Sequence, residues 1–386
     1  MSQSFIPKNI LMVSHDYFPN IGGVAVYVHE MSKALSQMGH KVTILTKYRS
    51  ENFEIKEEYF ADLKIIRVPI SRVKKLDDLQ YIFRMRKLIK KLQKVEKIDV
   101  IHWHTLNKDA KVMRNLQVEG LEVYTNHLSW FRMLYNQKNY KKIYSLIKDP
   151  DYIICPSREI EKMTGDLFGS QKTCYLPNGV DPNLFAIDEN MEKEMRKMYG
   201  IPIKDQVILT TNRMEPIKGM RYLIDTIPDI LNKHPDTTFI ILGDGSQQRE
   251  LENRVHAQDI DQSKVIFGGR VSNAEIRKWM TVADVYVQPS LMEGCSIAII
   301  EAMACSKAIV ASNIGGNPDI ICHGESGLLV ESMSSIQIQE KVSYLLAQPK
   351  IRKELGEKAR ERVENELNWN ALAEQLTKIY ESPLIR

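Results

Sequence analysis

The sequence contains no apolar run approaching the roughly 20 residues of a membrane span. The segment Met1–Asn9 has no apolar core of the signal-peptide kind, and Ile10–Val13 is too short to supply one. Cysteine is scarce: Cys155, Cys174, Cys295, Cys305 and Cys322 are odd in number and form no C-x-x-C. Both features fit a reduced, cytoplasmic chain with structural or incidental thiols. No G-x-G-x-x-G follows the first apolar strand, which argues against a dinucleotide oxidoreductase. Metal-ligand spacing is also thin. His102 and His104 are two residues apart, with no third ligand evident. Asp149-Pro150-Asp151 abuts the start of a strand, and Asp259-Ile260-Asp261 lies in a polar, surface-like segment.

The charge is uneven. The chain of 386 residues carries a formal +4, but residues 1–185 hold 29 Lys and Arg against 20 Asp and Glu, while residues 186–386 hold 24 against 29. A basic first half suits an anionic ligand or membrane surface. The profile is not that of a nucleic-acid-binding protein. Residues 72–94 concentrate nine basic side chains against Asp77 and Asp78, with Leu79, Ile82, Phe83, Leu88, Ile89 and Leu92 as an apolar stripe. Such a helix can lie on anionic lipid. A doubly wound sheet also needs a covering helix here, so burial of the stripe is the preferred reading, with at most weak, salt-sensitive membrane attachment.

Short, continuous apolar runs alternate with helix-period segments along the chain. Strands are expected at Ile10–Val13, Val42–Thr46, Leu63–Val68, Val100–Trp103, Leu121–Thr125 and Tyr152–Cys155. A second series is expected at Val207–Thr211, Thr238–Leu242, Val265–Phe267, Val285–Val287 and Ala308–Ala311. Buried parallel strands separated by helices imply two doubly wound α/β domains. Leu176-Pro177-Asn178-Gly179-Val180-Asp181-Pro182 is the natural linker.

Candidate chemistry sits where strands give way to helices. Gly22 and Gly23 precede a helix and would let backbone approach a ligand, although a plain tight turn would read the same way. Arg213 and Lys218 follow the first strand of the second series, where α/β sheets bind ligands, and could clamp a diphosphate; two solvated cations are the plainer reading. Gly243-Asp244-Gly245 is a further glycine turn. The most informative stretch is Glu293-Gly294-Cys295-Ser296-Ile297-Ala298-Ile299-Ile300-Glu301. Gly294, Cys295, Ser296 and Ile297 would present free amides at the start of an apolar helix. Glu301, inside that helix, is costly to bury without a partner, either a salt bridge or sugar and ribose hydroxyls. His127 ends a first-series strand, and a lone histidine there is more often structural.

Together these residues resemble the retaining glycosyltransferases of the GT-B fold, group 4, over nearly the whole chain. The most specific part is E-G-C-S-I-A-I-I-E-A-M-A-C, close to the family's E-G-F-G-L-P-x-x-E-A-M-A-C. Pro19-x-x-Gly22-Gly23, Pro177-Asn178-Gly179, Arg213-x4-Lys218-Gly219, Gly243-Asp244-Gly245 and Gly315-Gly316-Asn317-Pro318 also match. The resemblance implies two Rossmann-like domains facing across a cleft, 1–178 with 367–386 and 179–366, the last helix returning to the first. It implies that Arg213 and Lys218 neutralise the donor diphosphate and that Glu301 holds the ribose hydroxyls. Glu293 and the amides of Gly294–Ile297 would hold the donor sugar, Gly22 and Gly23 close over the phosphates, and His127 lie beside the reacting sugar. Cys295-Ser296 departs from the family's aromatic and glycine, and Ser306 from a glycine.

The expected function is metal-independent, cofactor-free transfer of a hexose or N-acetylhexosamine from a nucleotide-sugar to an acceptor hydroxyl, the acceptor being a small molecule or a lipid-linked glycan. UDP-N-acetylglucosamine and UDP-glucose stand ahead of GDP-mannose on family grounds. An epimerase, a phosphorylase and a silent sugar-nucleotide-binding protein are the rivals.

Overall fold

The computed structural model describes residues 6–19, 22–50, 54–71, 74–127, 129–185 and 189–384. Asn20 and Ile21 of the first glycine loop, and Arg72 of the basic segment, lie outside them. Contacts divide the chain into two units, Met1–Pro177 with Trp369–Arg386, and Asn178–Asn368.

Unit 1 is built on an eight-stranded sheet. Its strands are β1 (Asn9–Val13), β2 (Lys41–Arg49), β3 (Lys56–Phe60), β4 (Leu63–Ile70), β5 (Val100–Trp103), β6 (Leu121–Thr125), β7 (Tyr152–Cys155) and β8 (Thr173–Tyr175), in spatial order β3-β4-β2-β1-β5-β6-β7-β8. All neighbours are parallel except β3 and β4. Central strands such as β1 and β5 are apolar and buried on both faces, as a sheet covered by helices on both sides requires. β3, K-E-E-Y-F, is exposed throughout and was not legible as a strand.

Unit 2 carries six parallel strands: β9 (Gln206–Thr211), β10 (Thr237–Leu242), β11 (Val265–Gly269), β12 (Val285–Gln288), β13 (Ala308–Ser312) and β14 (Leu328–Val330), in the order β11-β10-β9-β12-β13-β14. Both sheets are therefore doubly wound, as the alternating pattern implied. Strand order reverses between β1 and β5 in one and between β9 and β12 in the other. Outside the carboxyl ends of strands flanking such a reversal is where open α/β sheets bind ligands.

The last helix, Trp369–Tyr380, belongs to unit 1. Trp369, Leu372, Ala373, Leu376 and Tyr380 are buried in one cluster with Tyr27, Val28, Met31 and Leu35 of α1 (Gly23–Gln37). Its apolar positions recur at helical spacing, so one stripe covers α1. Two histidines tie it down: His40 Nε2 to Thr377 Oγ1 at 3.1 Å, and His102 Nδ1 to Tyr380 OH at 2.7 Å.

Helix α2 (Lys74–Val95) departs from the reading that its whole stripe is buried. Tyr81, Met85, Leu88 and Ile89 face the core, and Ile82 and Leu92 are partly covered. Leu79 and Phe83, four residues apart, form a different stripe and are 68% and 69% exposed.

Leu376→Ala opens a cavity under the last helix. We expect a loss of about 2–5 kcal/mol in the stability of unit 1, measured by urea unfolding. An unchanged midpoint would contradict the packing described.

Candidate functional site

In unit 2, three loops at the carboxyl ends of adjacent strands are locked together by close backbone approaches. Gly219 has φ +61°, and a Cβ added there would lie 2.1 Å from Pro289 O, so the loop after β9 presses on the loop after β12. Gly243 has φ +124°, and a Cβ would lie 1.9 Å from Asn212 O, which binds the loop after β10 to that after β9. Ser246 then donates from its N–H and hydroxyl to Glu215, holding that carboxyl below its usual range.

The β9 and β12 loops meet at one carboxylate oxygen. Glu293 Oε1 accepts from Lys218 Nζ at 2.5 Å, Gln288 Nε2 at 2.7 Å and Ser290 Oγ at 2.8 Å. Gln288 Nε2 also reaches Ser296 Oγ at 2.8 Å, its Oε1 accepts from Tyr286 OH at 3.0 Å, and Tyr286 OH lies 2.9 Å from Thr211 Oγ1. Lys218 and Glu293, assigned by resemblance to diphosphate and sugar, are thus one largely buried ion pair. Arg213, in the same loop as Lys218, is exposed and in no ion pair among the described residues.

The helix Ile297–Ala304 starts beside this pair. Ser296 caps it, its hydroxyl accepting from Ile299 N at 3.3 Å. The amides of Gly294, Cys295, Ser296 and Ile297 donate no hydrogen bond among the described residues. Free N–H groups at and just before the positive end of a helix suit an anion. The Cys295 side chain is turned elsewhere: Asn178 N–H donates to its sulfur at 3.3 Å and Asn178 Nδ2 to its carbonyl at 2.7 Å, and burial pushes the thiol up to about 12. Its side chain holds the linker, so only its amide faces the role expected of it.

Glu301 is 8% exposed, and its carboxylate has no hydrogen-bond or ion-pair partner among the described residues. The salt-bridge explanation for this carboxylate therefore fails. Burial alone pushes its carboxyl up to about 8.

Unit 1 gathers its polar groups at its own strand reversal. His104 Nδ1 and His127 Nε2 are 3.3 Å apart, and Tyr27 packs edge-on against His127 with ring centroids 4.9 Å apart. His102, below His104, holds Tyr380 and Thr125, the latter at 2.6 Å. Burial drives His102 and His127 down to about 3 and His104 well below its ordinary value, so all three rings are neutral. Asp109, which sequence reasoning missed, joins the loops after β1 and β5. It accepts from His15 N at 3.0 Å, Thr105 N at 2.9 Å and Tyr81 OH at 2.6 Å, and burial raises its carboxyl. An acid just beyond an apolar strand was the available signal. Gly22 caps α1 in extended backbone, and a Cβ there would meet nothing within 4 Å. The fold does not demand glycine there, and the space beside it is open.

The remaining candidates are satisfied locally. Asp149 pairs with Lys172 at 2.7 Å, Asp151 accepts from Glu122 N at 2.9 Å, and Asp261 caps Ser263. Among the described residues no three His, Cys, Asp or Glu side chains converge as metal ligands would.

Doubly wound units with cations, carboxylates and free helix amides at a strand reversal are what α/β proteins handling anionic, hydroxyl-rich ligands present. Comparison with known proteins narrows the class. Residues 21–184 match the family model described as Glycosyltransferase Family 4, and residues 191–362 match Glycosyl transferases group 1. The chain belongs to this glycosyltransferase family and is a glycosyltransferase. It is 26% identical over 389 residues to a human phosphatidylinositol N-acetylglucosaminyltransferase subunit, covering 97% of this chain and 76% of that one. It is 25% identical over 389 residues to a GDP-mannose-dependent monoacylated alpha-(1-6)-phosphatidylinositol monomannoside mannosyltransferase of Corynebacterium glutamicum, covering 97% and 98%. Sucrose-phosphate synthase from Thermosynechococcus elongatus has the same GT-B fold, with a TM-score of 0.80, 22% identity and coverage of 97% and 98%.

The neutral histidines set an acid limit on unit 1. His102 and His104, fully buried, have folded pKa values far below the unfolded value near 6.5. The unfolded chain therefore binds protons that the folded chain does not as pH falls from about 6.5 toward 3. Stability is unaffected above that window and drops within it, by at most about 1.4 kcal/mol per pH unit for each histidine. Urea midpoints at pH 7 and pH 5 check this; equal midpoints would refute it.

Proposed function

We propose that the chain is a retaining, metal-independent transferase that moves a hexose or N-acetylhexosamine from a UDP-sugar to an acceptor hydroxyl. UDP-N-acetylglucosamine is the first choice of donor and UDP-glucose the second. The observation that carries the reading is Glu301: a buried carboxylate with no partner among the described residues, beside four free amides at a helix start. The hydroxyls of a ribose would supply the partner, and the diphosphate would lie toward the amides.

In the proposed reaction the bond between the anomeric carbon and the β-phosphate oxygen breaks, and its electron pair stays on the diphosphate. The acceptor oxygen bonds to the anomeric carbon on the same face, and its proton passes to the departing phosphate oxygen. Lys218, Arg213 and the amides of Gly294–Ile297 stabilise the developing negative charge. Glu293 aligns Lys218 and faces the donor sugar. His127, held by His104, lies beside the reacting sugar, its neutral ring able to accept or donate a hydrogen bond without bringing a competing cation. Gly22 and Gly23 leave room for phosphate to approach. The N-acetylglucosaminyltransferase relative supports the donor choice, and both phosphatidylinositol-directed relatives support a lipid-borne acceptor and peripheral attachment to an anionic membrane. A GDP-mannose donor is the alternative, supported by the Corynebacterium relative.

Thermal-shift titration against UDP- and GDP-sugars separates the two donors, with stabilisation by the UDP-sugar expected; stabilisation by GDP-mannose alone would overturn the choice. Lys218→Ala should lower kcat by about 10²–10³. The kcat/KM of the wild type should rise through an ionisation near pH 8 that Glu301→Gln abolishes, because kcat/KM reports groups of the free enzyme. A profile identical in the two proteins would remove Glu301 from the donor site.

A further inference from the structure

Helix α2 and the neighbouring ends of β3 and β4 enclose a groove of about 610 Å³ on the surface of unit 1. One part of it is apolar: Ile55, Leu79 and Phe83 line it and are 52%, 68% and 69% exposed. Exposed apolar side chains beside a row of lysines are the composition of a helix that lies at a lipid interface. The other part is cationic. Lys87 and Lys91 continue the Leu79–Phe83 stripe at intervals of four residues, and both line the groove.

Among the described residues these lysines are not balanced by ion pairs. The only acids of α2, Asp77 and Asp78, pair with Arg49 and Lys108. Lys87, Lys90, Lys91 and Lys94 are exposed and in no ion pair among the described residues. The helix Pro349–Asn365 of unit 2 is comparably charged but laced internally by Lys350–Glu354, Lys353–Glu357, Lys358–Glu361 and Arg360–Glu364. That is the usual arrangement for a solvated helix, and α2 lacks it.

We propose that this face of α2 docks unit 1 on an anionic phospholipid bilayer. Leu79, Phe83 and Ile55 enter the headgroup region, and Lys87, Lys90, Lys91 and Lys94 meet lipid phosphates. A bilayer satisfies both halves of the stripe at once, because apolar chains and negative phosphates are neighbours only there. Among the described residues no helix is long and apolar enough to cross a membrane. The inference locates the attachment proposed above and rests on that reading for its purpose, whereas vesicle binding is measured with neither donor nor acceptor present.

The test is co-sedimentation of the full chain with vesicles of phosphatidylcholine alone and of phosphatidylcholine mixed with phosphatidylglycerol. Binding is expected only to the mixed vesicles and should fall steeply with salt, because the lysine contacts are screened. Lys87→Gln with Lys91→Gln should weaken it roughly twenty-five-fold, at about five-fold per lysine. Leu79→Ser with Phe83→Ser should weaken it about ten-fold or more. Both doubles alter exposed positions and should keep the wild-type Tm and donor turnover. Phe83→Trp supplies a second readout, a blue shift of indole emission on the mixed vesicles alone. Equal binding to both vesicle types, binding unaffected by both doubles, or an indole emission that does not shift in the Phe83→Trp variant would overturn the proposal. So would a solution dimer dispersed by Leu79→Ser with Phe83→Ser, which would make a second copy the occupant. Vesicle binding without any sugar transfer would leave this inference standing and sink the functional reading instead.

Discussion

Much of unit 2 converges on a single oxygen, Oε1 of Glu293. Lys218 reaches it from the loop after β9, and Gln288 and Ser290 reach it from the end of β12 and the loop beyond. Gln288 passes the constraint on to Ser296, the cap of the helix Ile297–Ala304. One ion pair therefore sets the spacing of a lysine, a helix start and four free amides. Removing one partner of such a pair would leave the other buried and uncompensated, which is far costlier than never having had the pair. The pair also pre-positions Lys218, so that less ordering remains when an anion arrives.

The two units solve the problem of buried polarity in opposite ways. Unit 2 pairs most of its buried charges; Glu301 and Lys307, whose ammonium donates only to the Thr281 carbonyl, are exceptions among the described residues. Unit 1 removes charge where it clusters histidines, because three cations within hydrogen-bond and stacking distance of one another could not be held in so dry a site. A neutral imidazole can still hydrogen-bond, which suits a site that must touch a sugar without competing for phosphate.

The architecture was legible in the sequence where strands are apolar on both faces. V-I-H-W and Y-I-I-C read as strands with the bounds they have in the structure. β3 was not legible, because an exposed antiparallel edge strand has neither an apolar run nor an alternating face. β8 and β14 are three residues each, too short to show a period. At the site, the position of Glu301 could be read from the cost of a carboxylate in an apolar helix. The bond between Lys218 and Glu293 could not, since 75 residues separate them and they meet only because β12 lies beside β9. The engagement of Cys295 with Asn178 was equally hidden: the motif placed that residue at a helix start but said nothing of where its sulfur turns.

The return of the helix Trp369–Tyr380 to unit 1 has a bearing on how the chain is made. Its covering stripe is synthesised only after the whole of Asn178–Asn368. At about 5–20 residues per second, that leaves the apolar face of α1, with Tyr27, Val28, Met31 and Leu35, without its lid for on the order of ten to forty seconds on the ribosome. The interval is long compared with the folding of a helix or a small sheet. Unit 2, contiguous in sequence, can close its core first, so the segment synthesised first is the last to be completed. During that interval the exposed face of α1 is where a chaperone has most to protect.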